Sequence, residues 1–331
     1  MQQAIAIDVG YRYTKPLIPS ITPSKQLLIP SVVAPFHELS LSDLANESLG
    51  HSVHIKQLNG TEKKYFVGDL ALREGRGATF TLDRQKHRHS NHDILIFTAA
   101  RLLKAQPGST LVVGLPVAYY RSQRKELTEH LMSQHAEVGL NDGSPSRISF
   151  GEVIVYPQGA GALHTAPDLP TNGLVLLVDV GYKTTDFIVA EIINGKVKPV
   201  SKLCDSIETG VHDVHEAVSA EYQNRTGSPV SGVNVSMIID NGGKTSYYGK
   251  ELDMSKELKA IKEDVATSII DQVKNKIGDR AAFIQKAYLA GGGAEALPTL
   301  TKIFPTTKVL ANSQWANALG YLEVVRQLKT V

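Results

Sequence analysis

An apolar run that stops at Asp-x-Gly occurs twice in this chain of 331 residues. Ala4-Ile5-Ala6-Ile7 leads into Asp8-Val9-Gly10, and Leu174-Val175-Leu176-Leu177-Val178 leads into Asp179-Val180-Gly181. Each run reads as a strand buried on both faces. A carboxylate at the end of such a strand is poorly placed for core packing and well placed for an aqueous cation. Glycine lets the backbone turn back close to a bound anion. The turn then offers backbone N–H groups to anionic oxygens. Lys15, seven residues after Asp8, has the reach to meet a β- or γ-phosphate. One Asp-x-Gly taken alone is a common structural turn. The second copy changes that reading: Tyr182-Lys183-Thr184-Thr185-Asp186 follows Gly181 and adds two hydroxyls. Two such hairpins facing one another would clamp a polyphosphate between domains, with Mg²⁺ held through Asp8 and Asp179 by way of water.

The rest of the chain alternates strands and helices, which indicates α/β layers. Leu27 to Val33 reads as a strand broken by Pro30, and Lys64 to Asp69 as a strand entering a turn, while residues 36–62 are polar and carry no clear pattern. Ser90-Asn91-His92-Asp93 resembles a capping box and opens a helix that Gln106-Pro107-Gly108 ends. A strand at residues 110–116, a charged helix over 122–134, and a strand at 153–157 follow, the last leading into the small-residue helix Gln158-Gly159-Ala160-Gly161-Ala162-Leu163. Ala166-Pro167-Asp168-Leu169-Pro170 is linker-like and divides the chain near its middle. In the second half, residues 184–190 return antiparallel to the first strand, Asn194-Gly195 signals a hairpin, and Gly210 opens a helix. A long helix over 255–277 carries Leu258, Ile261, Val265, Ile269 and Val273 on one face, a core-packing stripe. The chain closes with a helix over 314–328.

A third loop, Gly291-Gly292-Gly293, follows the apolar strand Lys286-Ala287-Tyr288-Leu289-Ala290. Three glycines let a backbone approach a base or ribose closely; the bland alternative is a tight helix-start turn. No Gly-x-x-x-x-Gly-Lys-Ser/Thr run exists, so this is not a Walker-type site. The histidine-rich stretch from Arg84 to His92 contains Lys86 and Arg88, whose charges oppose a metal site, and reads as a solvated basic loop. One cysteine, Cys204, excludes an internal disulfide, reads as a small apolar residue, and fits a reducing compartment. A net charge of +2 is too mild to imply direct nucleic-acid binding. No stretch approaches the roughly 18 to 20 apolar residues of a membrane span, and the N-terminus lacks a signal peptide's basic region. A cytoplasmic location is the expectation.

These motifs resemble, in order, those of the actin, sugar-kinase and Hsp70 superfamily, and within it the ParM/StbA-like plasmid-segregation actins. Residues 8–15 are similar to the phosphate-1 motif, 179–186 to phosphate-2, and 289–294 to the adenosine motif. Pro157 to Ala162 looks like the first connecting helix, and residues 312–321, with Ala316-Asn317-Ala318-Leu319-Gly320-Tyr321, like the second. Tyr65-Phe66-Val67-Gly68-Asp69-Leu70-Ala71 and Val113-Gly114-Leu115-Pro116-Val117 resemble segments of the ParM branch. Tyr11 stands where the family often has a small hydroxyl residue, and Tyr182 replaces a second glycine.

The resemblance implies an α/β, two-lobed actin-like fold built on a duplicated ribonuclease H-like unit, with nucleotide in the interdomain cleft. Domain I would span 1–165, with the C-terminal helix 314–331 packing back on it; domain II would span 166–313. ATP or GTP with Mg²⁺ is the implied cofactor, and the implied activity is hydrolysis coupled to filament assembly. Gln158 would orient a water in line with the γ-phosphate, since an amide has no useful pKa for a general base; its alternative is an N-terminal helix cap after Pro157. Asp179 would polarise that water or hold the metal, Asp8 would hold the metal from the other lobe, and Lys15 would neutralise developing charge. Nucleotide contacts would come from Gly10, Tyr11, Arg12 and Lys15, from Gly181, Tyr182, Lys183 and Thr184, from Gly210 near the ribose, and from Gly291, Gly292, Gly293 and Asn317. Asp186 is expected to stabilise its loop. Partners would be further copies of the chain and a DNA-bound adaptor protein. A non-polymerising kinase or ATPase of the same fold is the competing expectation, although no further carboxylate motif marks a sugar-kinase base, and an Hsp70-like module would lack its substrate domain.

Overall fold

The computed structural model describes residues 2–24, 27–39, 50–80, 85 and 89–330. Of the histidine-rich basic stretch, Arg84, Lys86, His87 and Arg88 lie outside them. The chain forms two units. The first comprises Met1–Thr165 and Trp315–Val331, and the second Ala166–Gln314.

In the first unit the apolar strand Ala4–Val9 forms a hairpin with Tyr13–Leu17, and Ile29–Pro30 pairs outside that. On its other side lie Ser109–Leu115 and then Ser146–Pro157, both parallel to it. All seven residues of Ser109–Leu115 are buried, as a central strand covered on both faces requires. The sheet continues through His135–Leu140, His51–Gln57, Glu62–Val67, Val32–Pro35 and Thr79–Phe80 to ten strands. His51–Gln57 is a strand with a weak sequence signal, and its burial shows why. In His51–Gln57 Val53 and Ile55 are buried among half-exposed or exposed His51, Ser52, His54, Lys56 and Gln57.

Helices cover the parallel strands. Ser90–Leu102 begins with His89 as its N-cap, whose Nδ1 accepts the Asn91 N–H at 3.2 Å. The expected Ser90 capping box is therefore not formed; the imidazole takes the role of the hydroxyl. The next helix is Val117–Ser133 and starts directly after Pro116, not at Ser122. Pro116 ends the strand and also accepts the N–H groups of Tyr119 and Tyr120, so its apolar successors are helical from the outset. The C-terminal helix Ala316–Thr330 lays Ala318, Tyr321 and Val325 against Ala6, Leu17 and Val112.

The second unit repeats the strand order of the first. Lys196–Pro199, Thr185–Ile193 and Asn172–Val180 run antiparallel, then Ile284–Ala290 and Thr307–Val309 run parallel to Asn172–Val180. The short strand Asp205–Ile207 pairs with the start of Thr185–Ile193. Asn194 and Gly195 both have positive φ (51° and 74°), the mirror-image turn that a two-residue hairpin favours. The helix Ser255–Ile277 buries Leu258, Ala266, Ile269, Ile270, Val273 and Ile277, with Ile261 and Val265 at the margin of that core. The helix Gly232–Asp240 and the hairpin Lys244–Tyr247/Lys250–Asp253 were not expected, because the apolar Val233, Val235, Met237, Ile238 and Ile239 are flanked by polar and glycine-rich sequence. Cys204 is half-buried; its thiol donates to Val189 and Val200 carbonyls, and burial pushes its pKa up.

Candidate functional site

The two Asp-x-Gly hairpins share one geometry. Asp8 pairs with Lys15 and Val9 with Thr14 across the first; Asp179 pairs with Asp186 and Val180 with Thr185 across the second. The intervening loops, residues 10–13 and 181–184, therefore have the same length. Each is closed by its glycine: Gly10 N–H donates to Tyr13 O at 3.0 Å, and Gly181 N–H to Thr184 O at 2.9 Å. A Cβ on either glycine would sit 2.8 Å from that same carbonyl oxygen. Close backbone approach is what selects glycine here. Tyr11 and Tyr182 then occupy equivalent positions, as do Arg12 and Lys183.

In the first unit Asp8 is 1% exposed. Its Oδ2 meets Lys15 Nζ at 2.5 Å, and its Oδ1 accepts from Gln158 Nε2 at 3.1 Å. Burying a carboxylate is costly unless charge and hydrogen bonds compensate, and here both oxygens are compensated. Gln158 N–H donates to Leu115 O at 2.8 Å. The helix that follows begins at Ala160 with Gly159 as N-cap, so the Gln158 side chain is turned to Asp8 and does not cap it. The loop is braced by a residue the sequence did not mark. Buried Ser31 donates its hydroxyl to Gly10 O at 2.7 Å, its N–H to Arg12 O at 2.8 Å, and lies 3.0 Å from the Thr14 hydroxyl. The available signal was the Pro30-Ser31 break in an apolar run, which looked like a strand interruption only. Tyr11 is buried, and the Arg12 guanidinium stacks 5.5 Å from the Tyr13 ring.

In the second unit Asp179 is buried. Gly181 and Tyr182 are fixed to the helix Val211–Thr226: Val211 N–H donates to Gly181 O at 3.2 Å and His212 N–H to Tyr182 O at 2.6 Å. A Cβ on Gly210 would lie 2.6 Å from Tyr182 O. Gly210 thus lets the helix start meet the loop, and the first helical N–H groups are consumed by protein carbonyls. The Tyr182 ring lies 5.2 Å from both His212 and His215. Tyr182→Ala is expected to loosen this loop and destabilise the second unit by about 1–3 kcal/mol, measured by chemical denaturation, while Tyr182→Phe retains its stability. Asp186 accepts the Ser206 hydroxyl at 2.5 Å and Thr185 donates to Thr209 O at 2.8 Å, both loop-bracing roles; Thr184 is buried and Lys183 half-buried.

The triple glycine packs on this hairpin. Gly291 has φ +80°, donates its N–H to Ser313 O at 2.8 Å, and leaves no room for a side chain: a Cβ would overlap Val180 O and lie 2.5 Å from Asp179 Oδ1. A Cβ on Gly293 would overlap the Val180 side chain, whereas Gly292 faces only Gln314 at 3.6 Å. Unit two therefore gathers Asp179, Gly181, Gly210, Gly291 and Gly293, and unit one gathers Asp8, Gly10, Lys15 and Gln158. Asn317 belongs to unit one as well, where its Oδ1 accepts Gly159 N–H at 2.9 Å, next to Gln158.

Each unit places one carboxylate at a strand end, Asp8 in the first and Asp179 in the second. Asp8 already carries Lys15 and Gln158, so a hard cation would fit beside it through its waters and not by direct ligation. Among the described residues no group of three His, Cys, Asp or Glu side chains gathers as a metal centre.

Three antiparallel strands followed by two parallel ones, present twice, with a glycine-closed Asp-x-Gly hairpin in each copy, define the actin-like class of fold. The family described as the N-terminal domain of actin-like proteins matches residues 6–161, and the C-terminal domain of archaeal MreB-like actin homologues matches residues 177–302. The chain belongs to the actin-like proteins. Its fold is similar to that of a 15-stranded ParM filament from Clostridium botulinum, at 25% identity and a TM-score of 0.87 over 98% of this chain and 99% of that one. It is also similar to a non-polymerisable quadruple mutant of pCBH ParM (24%, 0.84, 99% and 100%) and to an archaeal actin homologue in complex with ADP (22%, 0.77, 98% and 99%). No curated protein sequence matches the chain significantly.

Proposed function

We propose that this chain is a nucleoside triphosphatase that binds ATP or GTP with Mg²⁺, polymerises with nucleotide, and segregates plasmid DNA through an adaptor protein. The observation that carries the nucleotide reading is the equivalence of the two hairpins, with Asp8 and Asp179 at one register position and Gly10 and Gly181 at another. An actin-like relative solved with ADP and a ParM relative solved as a filament support it. Each unit would supply one phosphate loop, and Asp8 and Asp179 would hold the Mg²⁺ through water. The cation, when bound, would neutralise phosphate charge. Backbone N–H groups of residues 10–13 and 181–184 would contact phosphate oxygens, with Lys15 moving from Asp8 to the terminal phosphates. Gln158, already directed at the Asp8 carboxylate, would orient the attacking water. The glycines at 291, 292 and 293 would admit the nucleoside.

Tyr11 and Tyr182 serve in this reading as anchors of their loops, since the first is buried and the second packs on two histidines. The net charge of +2 favours an adaptor over direct DNA contact, and a cytoplasmic site of action follows from the proposed cargo. Among the described residues no helix is long and apolar enough to cross a membrane. The test is light scattering and pelleting with Mg-ATP and Mg-GTP. Scattering that rises with nucleotide and decays as phosphate is released is the expected result. A chain that hydrolyses nucleotide yet stays monomeric at high concentration would instead be a non-polymerising ATPase of the same fold.

A further inference from the structure

We propose that Asn317 and Tyr321, one turn apart on the C-terminal helix, are positioning residues that hold Gln158 in the rotamer needed to orient water. The inference rests on the reading of Gln158 given above. A glutamine has three rotatable side-chain bonds, so it directs a water only if its backbone and stem are fixed from outside.

Both fixings come from one face of the helix Ala316–Thr330, because residues four apart lie one above the other. Asn317 takes the backbone. Its Oδ1 accepts the N–H of Gly159 at 2.9 Å, and that N–H belongs to the peptide plane joining Gln158 to Gly159. Holding the plane sets ψ of Gln158 and hence the direction of its Cα–Cβ bond. Gly159 itself has φ +76°, so without this bond the turn has alternatives. Asn317 and Gln158 are both buried, at 7% and 8% exposure.

Tyr321 takes the stem. Its ring is fully buried and occupies space left by two missing side chains. A Cβ on Gly161 would lie 2.6 Å from the ring, and a Cβ on Gly114 would overlap the phenol oxygen. That same Gly114 position is 3.0 Å from Gln158 Cγ. Gly114 is thus the thin wall between Tyr321 and Gln158, and the tyrosine closes the space into which the stem would otherwise turn. Tyr156, paired with Gly114 in the sheet register, meets the Tyr321 ring edge-on at 6.4 Å and keeps it in place.

Single-turnover hydrolysis of Mg-ATP and Mg-GTP, alongside nucleotide affinity and thermal unfolding, tests this on the full chain. Asn317→Ala is expected to lower the hydrolysis rate about 10- to 100-fold with affinity changed less than about threefold. In a Gln158→Ala background the same substitution should lower the rate no further, because its effect runs through that side chain. A merely structural role predicts the same loss in both backgrounds, and that result would overturn the proposal. So would a wild-type rate in Asn317→Ala with Gln158→Ala slow. Tyr321→Leu gives a second, independent pair of measurements with the same expectations should Asn317→Ala not fold. A wild-type rate in Gln158→Ala alone strikes instead at the parent reading.

Discussion

Asp179→Ala is expected to reduce nucleotide turnover by about 100-fold or more while the second unit stays folded. Asp179 is buried near the C-terminal end of the strand Asn172–Val180, with its register neighbours Asp186 on one side and Ala290 on the other. Those ladder bonds use the backbone, which alanine keeps. The carboxylate touches the region of the glycine turn, where a Cβ at Gly291 would stand 2.5 Å from Oδ1. Truncation therefore removes charge from the proposed phosphate site and opens space without forcing a clash. Asp8→Ala would be a poorer experiment, because it leaves the ammonium of Lys15, 13% exposed, without its 2.5 Å partner. Phosphate release with Mg-ATP and Mg-GTP is the measurement, with circular dichroism as the folding control. Unchanged turnover would remove Asp179 from the site.

The second large effect is on stability. Gly291→Ala is expected to destabilise the second unit by about 3–5 kcal/mol, the sum of left-handed backbone strain and overpacking. Its φ is +80°, and the new methyl would overlap the Val180 carbonyl oxygen, a rigid group in a central strand. Gly292→Ala supplies the control. Its backbone is helical (φ −65°, ψ −25°) and its nearest neighbour is the flexible Gln314 side chain at 3.6 Å. Chemical denaturation should show the first variant shifted strongly and the second within about 0.5 kcal/mol of the parent. Equal shifts would mean that the triple glycine is only a flexible turn.

Legibility from sequence followed burial. The buried strands before Asp8 and Asp179, the strand ending at Ala290, and the long helix Ser255–Ile277 have patterns that solvent and core together impose, and those patterns are legible in the sequence. His51–Gln57 and His135–Leu140 were missed because half of each faces polar surroundings and the alternation is diluted by histidine and glycine. Local chemistry misled at Ser90, where His89 competes for the same amide, and at Pro116, where one proline ends a strand and opens a helix. At the candidate site the hairpins and the triple glycine were visible as motifs. Ser31 was not, since its value lies in contacts with residues 10, 12 and 14 that only the folded sheet brings within reach. Asn317 was marked by resemblance alone, and its bond to Gly159 could not be read from the sequence because the two are 158 residues apart.

The first unit is discontinuous, and this reverses the usual order of events on a ribosome. Domains ordinarily close in the order they are made. Here the sheet begun at Ala4 lacks Trp315, Ala318, Tyr321 and Val325 until residues 315–325 have emerged, after the whole of the second unit. The second unit, made later, has all its own strands first. The nascent N-terminal half must wait with the apolar face around Ala6, Leu17 and Val112 uncovered, so the early chain is where a chaperone would have most to shield.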